Sequence, residues 1–462
     1  MKAGENYAGT KISVIGAGVS GVGLALLARR LGARVFVSEE RAIKEPSVTD
    51  LLRSHGIAWE EGGHSDSLFD SDLVLVGSGV SPRAKPVLEA MRRGITVRGE
   101  LDFVAPFIRG KIAGVTGSNG KSTTTALTGY MLQKMGYSAE VAGNIGKPLA
   151  GLAFKPRDYV VVELSSFQLH WNTIFSCDVA MVTNLAPDHI DWHGSYEEYI
   201  AAKAKILQTG TPERSAIVQE SELGLLLGER NPGFKLFAFS WGPLSGAKEN
   251  MIIADDAARI VALVEDGGET RTLFSFDEVP MIGRHNIENA AFAAGAVHLL
   301  TGCGAAEGDL FKGFKGLPHR CEFVATVDGV DYVDDSKGTN VATSATALAS
   351  LSRPKVVILG GQGKGEDYAP LAEAVKREAL AAVVLGSERE KIVKALRDAG
   401  YPSVHEVASM EEAVALSARL APRGGLVLLS PACTSWDMYS DYKQRGLHFR
   451  RIVQALKDEE AP

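Results

Sequence analysis

Cysteine is scarce in this sequence: four residues in 462, and Cys177, Cys303, Cys321 and Cys433 stand far apart with no C-x-x-C pair. That spacing argues against a disulfide framework or a zinc motif. It reads as reduced thiols packed into the cores of a cytoplasmic protein. Positive charge is not in excess either, with 49 Lys plus Arg against 56 Asp plus Glu and a formal net charge of −7. This balance gives no global attraction to nucleic acid or to an anionic membrane and leaves only a local basic patch as a route to either. Long hydrophobic runs are missing. The apolar stretch 16–28 is interrupted by glycines at a motif spacing, and 290–300 carries His298 and is too short to span a bilayer. Internal repeats, low-complexity segments and heptads are also lacking, so neither a repeat array nor a coiled coil is expected.

Glycine, by contrast, is abundant, at 50 residues. Either the chain is rich in loops or its backbone approaches something closely at several places. Hydrophobic residues at 45% and charged residues at 23% are those of an ordered globular protein, and the length suggests about three domains. Strand and helix signals alternate through residues 1–100, with strands near 11–15, 33–38 and 73–76 and a helix over 20–31. Such alternation predicts a parallel sheet covered on both faces. A second unit, 101–316, opens with a strand over 111–116 and a helix over 121–134, followed by strands at 159–162 and 179–183. Between 215 and 280 short strands and turns predict a small β-rich insertion, closed by a helix over 287–300. A third unit, 317–462, alternates again. The expected fold class is therefore α/β with three domains: an N-terminal Rossmann-like parallel sheet, a central P-loop-type ATPase α/β domain with the insertion, and a C-terminal Rossmann-like α/β domain.

Two glycine loops carry the chemistry. Gly16-Ala-Gly18-Val-Ser-Gly21 lies between a strand and a helix, with Glu39 ending the next strand where an acid would hold a ribose. It implies a diphosphate site without saying which nucleotide, and taken alone it favours an NAD-dependent oxidoreductase. Gly117-Ser118-Asn119-Gly120-Lys121-Ser122-Thr123 follows another strand and opens another helix. Its amides can cradle phosphates, Lys121 can neutralise their charge, and Ser122 can ligate Mg²⁺. Val115 stands where the strict motif has glycine, so this is a shortened relative of the P-loop. A dehydrogenase has no use for the second loop, and a plain ATPase none for the first. An enzyme that joins a nucleotide-carried substrate to something else, driven by ATP, uses both. Glu163 follows a strand near the P-loop and is placed to hold Mg²⁺, and His189 lies between Asp188 and Asp191 on another strand-end loop. Spacing alone assigns no role to Lys203.

Gly-Ser-Asn-Gly-Lys-Ser-Thr, Glu-Leu-Ser-Ser-Phe-Gln-Leu, Asn-x₃-Asp-His-x-Asp, Gly-Arg-His-Asn-Ile-Glu-Asn, Leu-Pro-His-Arg, Asp-Ser-Lys-Gly-Thr-Asn and Ser-Pro-Ala-Cys occur in one order. Together they resemble the Mur ligase family, the ATP-dependent enzymes that build the peptidoglycan stem peptide, from Lys11 to about Gly446. The resemblance is strongest to the branch that adds D-glutamate to UDP-N-acetylmuramoyl-L-alanine. It implies an acyl-phosphate mechanism in the cytoplasm, with ATP as co-substrate, two Mg²⁺ ions for which Mn²⁺ can substitute, no membrane insertion and a monomeric chain.

By the same resemblance, Gly117 to Thr123, Asn289, Arg320 and Asp335 bind ATP, with Asn286 beside them. Lys121, His189 and Lys203 are catalytic. Ser122, Glu163, His189 and Lys203 hold metal, Lys203 as its carbamate. Gly18, Val19, Ser20, Glu39, Arg41, Ser78, Gly79, Asn144 and His189 meet the UDP substrate, and Thr339, Lys364, Ser435 and Tyr442 meet D-glutamate. Because Arg320 and Asp335 lie in another domain than the P-loop, catalysis is expected to require domain closure. Two departures from the family pattern stand out: Gly77-Ser-Gly-Val where Ser-Pro-Gly is common, and Gly338 where alanine is common. The competing readings are a sister ligase adding another amino acid, a folylpolyglutamate synthetase-like enzyme, an NAD-binding oxidoreductase, and a nucleotide-regulated binding module.

Overall fold

A computed structural model describes residues 7–208, 213–228, 233–303 and 309–459. The first sheet is made of Lys11–Ile15, Arg34–Glu39, Ala58–Glu61, Leu73–Val76 and Thr96–Gly99, ordered third, second, first, fourth, fifth, with every pair parallel. Leu73–Val76 is buried at all four positions, as a strand covered on both faces must be. The strand order reverses beside Lys11–Ile15, and the first glycine loop leaves the sheet there. Helix Val19–Arg30 follows and buries Leu24, Ala25, Leu27 and Ala28. Gly21 is needed where this helix crosses the turn, because a Cβ would lie 1.9 Å from the carbonyl oxygen of Gly16.

In the central sheet, Arg109–Thr116 pairs in parallel with Pro156–Glu163 on one side and Val179–Val182 on the other. The β-rich stretch expected as an insertion instead continues this sheet. Ser215–Gln219, Lys235–Trp241 and Met251–Asp255 extend it in parallel, and only Ile260–Val264 and Thr270–Ser275 run antiparallel at its edge. The physical reason is burial. Met251–Asp255 is covered throughout, and Gly295 on helix Arg284–Thr301 lets that helix lie so close that a Cβ would meet Ile252 Cδ1 at 2.5 Å.

The expected boundary at residue 101 falls in helix Glu100–Val104, whose five residues are all buried. Val14 of the first sheet, Leu101 and Phe103 of this helix, and Val162 of the central sheet belong to one continuous apolar cluster. The first two sheets accordingly share one compact unit, running to Glu278 and including Glu288–Lys312. A second unit comprises Val279–Ile287 and the residues from Gly313 onward.

The second unit holds a sheet ordered Glu322–Val327, Val330–Asp334, Leu426–Leu429, Lys355–Gly360, Ala381–Leu385, Val404–Glu406. Its first pair is antiparallel and the others are parallel. Alternate residues of one strand face opposite cores. Val357 and Leu359 pack with Leu348, Leu371 and Ile392, whereas Val356 and Ile358 pack with Met410, Val414 and Phe449. Among the described residues no helix is long and apolar enough to cross a membrane. The four cysteines are free thiols, with Cys177 and Cys433 buried.

Candidate active site

The P-loop sits at the carboxyl end of Arg109–Thr116. Gly117 and Gly120 take φ of +142° and +82°, conformations open to glycine, and helix Lys121–Lys134 begins immediately after. Ser122 and Thr123 lie buried in its first turn, where amide donors and the helix dipole favour an anion. Lys121 Nζ donates to the carbonyls of Gly117 and Ser118 at 2.8 and 2.9 Å, folded back over its own loop. Asn289 packs on the loop, since a Cβ on Gly120 would lie 2.3 Å from its Oδ1. Asn286 donates from Nδ2 to the carbonyl of Ile282 at 2.7 Å, within the second unit.

Neighbouring strand ends supply the other groups. Val115 and Glu163 are register partners, so Glu163 is the last residue of its strand rather than one beyond it. Its Oε1 accepts from Asn144 Nδ2 at 2.7 Å, while Oε2 is buried without a hydrogen-bond partner. A buried carboxylate oxygen left unpaired is costly unless a cation completes it, so the donor set fits a metal ion. Asn144, expected against the substrate, here orients Glu163.

Lys203 is 1% exposed. Nζ donates to the carbonyl of Gly117 at 2.7 Å and lies 3.3 Å from Thr116 Oγ1. Burial, then Lys121, push its pKa well below the usual lysine value, against the pull of Asp188 and Glu163. A neutral amine there can take up CO₂ and become an anionic oxygen donor, which an ammonium cannot.

His189 has φ +52° and lies with its ring 4.7 Å from that of Phe167. Partial desolvation, with Lys121 and Lys203 nearby, lowers its pKa despite Asp188. The unprotonated form this favours is the one that can ligate a metal ion.

Sequence reasoning missed the groups that brace this loop. Asn184 accepts from the Asn119 amide through Oδ1 at 2.8 Å, Thr183 Oγ1 donates to the Asn119 carbonyl at 2.6 Å, and Tyr199 OH meets Ser118 Oγ at 2.7 Å. Asn184 opened a quoted motif, so that signal was in hand. Tyr199 lies one helical turn before Lys203 on helix Tyr196–Ala204, and no motif marked it.

At the first glycine loop, Glu39 Oε2 accepts from the Ala17 amide at 2.7 Å, so this acid holds the turn itself. Gly18, Val19, Glu39 and Arg41 line a cleft of about 890 Å³, and Ser78 and Gly79 lie outside its lining. Ser20 is partly buried at the start of the same helix.

In the second unit His319 Nδ1 and Asp334 Oδ2 pair at 2.7 Å, and the residues following each, Arg320 and Asp335, are the expected ATP-side pair. Asp335 Oδ2 accepts from Ser430 Oγ at 2.7 Å, and burial raises its pKa to about 7. Gly338 fits closely, since a Cβ would lie 2.7 Å from Asp335 Oδ2. Ser435 is buried and Lys364 exposed, with Thr339 and Tyr442 between these extremes. The Tyr442 ring stands edge-on to His319 at 5.9 Å, with Lys337 Nζ 5.5 Å from its centre.

Comparison with known proteins agrees along the chain. Residues 11–85 match the MurD N-terminal domain, 115–297 the Mur ligase middle domain, and 319–433 the Mur ligase glutamate ligase domain. A UDP-N-acetylmuramoylalanine--D-glutamate ligase from Pelotomaculum thermopropionicum is 36% identical over 98% of this chain and 99% of its own. The ligase of the same name from Desulfosudis oleivorans is 37% identical over 97% of each. In fold the chain is similar to a MurF ligase from Thermotoga maritima solved with ADP, with a TM-score of 0.58 and 17% identity over 92% of this chain and 96% of that one. The FolC protein of E. coli solved with ADP has a TM-score of 0.56 and 18% identity over 76% and 90%. With a glycine-loop sheet, a braced P-loop and a third α/β sheet in one chain, and relatives of one name along its whole length, the protein belongs to the Mur ligases, in the UDP-N-acetylmuramoylalanine--D-glutamate ligase family.

Proposed function

We propose that this chain is the ATP-dependent ligase that adds D-glutamate to UDP-N-acetylmuramoyl-L-alanine in cytoplasmic peptidoglycan precursor synthesis. The observation that carries the reading is full-length similarity to ligases of that name, joined to a P-loop flanked by Glu163 and Lys203. In outline, residues 1–100 serve the UDP end, 101–316 ATP, and 317–462 the amino acid, in a monomeric chain.

The chemistry begins from a poor electrophile. A carboxylate oxygen of the UDP-bound alanine attacks the γ-phosphorus of ATP, ADP leaves, and an acyl phosphate results. The amine of D-glutamate then attacks the acyl carbon, loses a proton, and inorganic phosphate departs as the amide forms. Both first reactants are anions, so cationic groups must screen their approach. Lys121 is the phosphate cation, released from the carbonyls of its own loop. Arg320 faces phosphate and Asp335 the ribose, both from the second unit. Ser122, Glu163, His189 and the Lys203 carbamate would hold two Mg²⁺ ions, with Mn²⁺ as a substitute. When bound, these ions supply positive charge to phosphoryl and acyl oxygens.

Phosphate release with UDP-N-acetylmuramoyl-L-alanine and Mg·ATP, scanned across amino acids, tests the reading. Release with D-glutamate and not L-glutamate is expected. Strict preference for another amino acid would point to a sister ligase and overturn it.

A further inference from the structure

Arg445, a side chain absent from the expected site, lies at the centre of the second unit's loops. It is 2% exposed. Nε donates to Ser336 Oγ at 2.9 Å, Nη1 to the Thr434 carbonyl at 3.1 Å, and Nη2 to the carbonyls of Ser336 and Cys433 at 2.8 and 3.0 Å. Ser336 lies one residue past Asp335 and three before Thr339. Cys433 and Thr434 lead directly into Ser435. Gly361, which opens the loop carrying Lys364, approaches so closely that a Cβ would lie 3.0 Å from Nη1. Tyr442 stands one turn earlier on the same helix, and its carbonyl accepts from Ser336 Oγ at 2.8 Å. The guanidinium therefore holds the segments leading to Thr339 and Ser435 directly, lies against Gly361 at the root of the Lys364 loop, and is joined to Tyr442 through Ser336.

The acceptors are all neutral, and among the described residues Arg445 forms no ion pair. Of the acidic groups that influence it, Cys433, Asp437, Tyr439 and Asp334, the two carboxylates are otherwise engaged. Asp334 is engaged by His319 and Arg450, and Asp437 accepts from the Ser387 amide. Burial draws the Arg445 pKa down to about 10, which leaves it cationic at neutral pH. Three carbonyls and one hydroxyl take hydrogen bonds from the guanidinium without cancelling its charge, so its positive potential persists in a medium of low dielectric. Three carbonyls held in a fixed fork also fix the loops that bear them.

We infer that Arg445 is the positioning residue of the amino-acid pocket, and that its charge, hydrogen-bonded only to neutral groups, biases the pocket toward an amino acid carrying a second carboxylate. This rests on the D-glutamate reading above. It adds a specificity role to a residue that need not touch substrate.

The test compares wild type, Arg445→Lys and Arg445→Gln by steady-state phosphate release, varying D-glutamate, ATP and UDP-N-acetylmuramoyl-L-alanine in turn, with D-glutamine as the neutral isostere. Thermal midpoints confirm that each protein is folded. Both variants should raise the KM for D-glutamate about tenfold or more while the other two KM values stay within about twofold. The kcat/KM preference for D-glutamate over D-glutamine should persist in Arg445→Lys, which keeps the charge, and fall about tenfold in Arg445→Gln, which loses it. Equal loss across all three substrates, or an unchanged preference in folded Arg445→Gln, overturns the inference. If Arg445→Gln does not fold, an unmoved D-glutamate KM in Arg445→Lys overturns it alone. Wild type inactive with D-glutamate overturns both readings, whereas wild-type turnover with unmoved variants strikes only Arg445.

Discussion

Lys203 Nζ donates to the carbonyl of Gly117 at 2.7 Å, so a buried amine is anchored at the root of the phosphate loop. Burial and Lys121 both disfavour its ammonium form. A site that disfavours the ammonium form of a lysine beside anion-binding amides is suited to a carbamate. Turnover should fall in CO₂-stripped buffer and return with bicarbonate. Lys203→Arg, too basic to carbamylate, should stay inactive at any bicarbonate concentration. Full activity without CO₂, together with an active Lys203→Arg, would remove the carbamate from the account.

Glu163 gives a prediction with two signs. Its Oε2 is buried and unpaired, so the carboxylate is a liability in the metal-free protein and a ligand when Mg²⁺ is present. Glu163→Gln should leave the metal-free melting temperature unchanged or slightly higher. The Mg²⁺ concentration for half-maximal turnover should rise by about tenfold or more, in the range lost with a metal-site group. A variant that melts lower with an unmoved Mg²⁺ dependence would make Glu163 structural.

Much of this site was legible because strand–loop–helix grammar is local. The P-loop helix, expected over 121–134, is found at those bounds, and the fourth-strand run 73–76 likewise. Long-range pairing was not legible. Nothing in 215–280 distinguishes strands that extend a sheet from strands that leave it, because the deciding contacts come from helix Arg284–Thr301. Arg445 was invisible for a related reason. In a helix of mixed polarity an arginine looks like a solvated charge, and only the convergence of Ser336, Cys433 and Thr434 on it reveals otherwise. Glu39 was correctly set at a strand end, but its partner, the Ala17 amide, depends on the register Val14↔Val37 between strands.

Asp335 should give the second unit a pH signature. Its pKa is raised by burial from the ordinary value of 3.8 to about 7, with Ser430, Arg320 and the Cys321 amide only partly offsetting it. A folded-state pKa above the unfolded one means its contribution to stability is complete below about pH 4 and is lost as pH rises through about 7. Asp335→Asn cannot ionise and avoids that loss. Relative to wild type, its thermal midpoint should therefore be higher at pH 8 than at pH 5. Its KM for ATP should be raised if the carboxylate meets the ribose. A difference between the two proteins that does not change with pH would mean Asp335 ionises normally.

Gly120 separates backbone strain from a steric block. It has φ +82°, and a Cβ there would lie 2.3 Å from Asn289 Oδ1. Gly136, just past the end of the same helix, has φ +89° with nothing within 4 Å of its Cβ. Alanine at either position carries the left-handed penalty of about 1–3 kcal/mol. Only at Gly120 must Asn289 also swing away from the loop. Gly136→Ala should thus lower the melting temperature while leaving the KM for ATP within about twofold. Gly120→Ala should lower it comparably or more and raise the KM for ATP about tenfold or more, with the KM for D-glutamate unmoved. Equal effects of the two substitutions on ATP would mean that Asn289 does not depend on a bare Gly120 to reach its place.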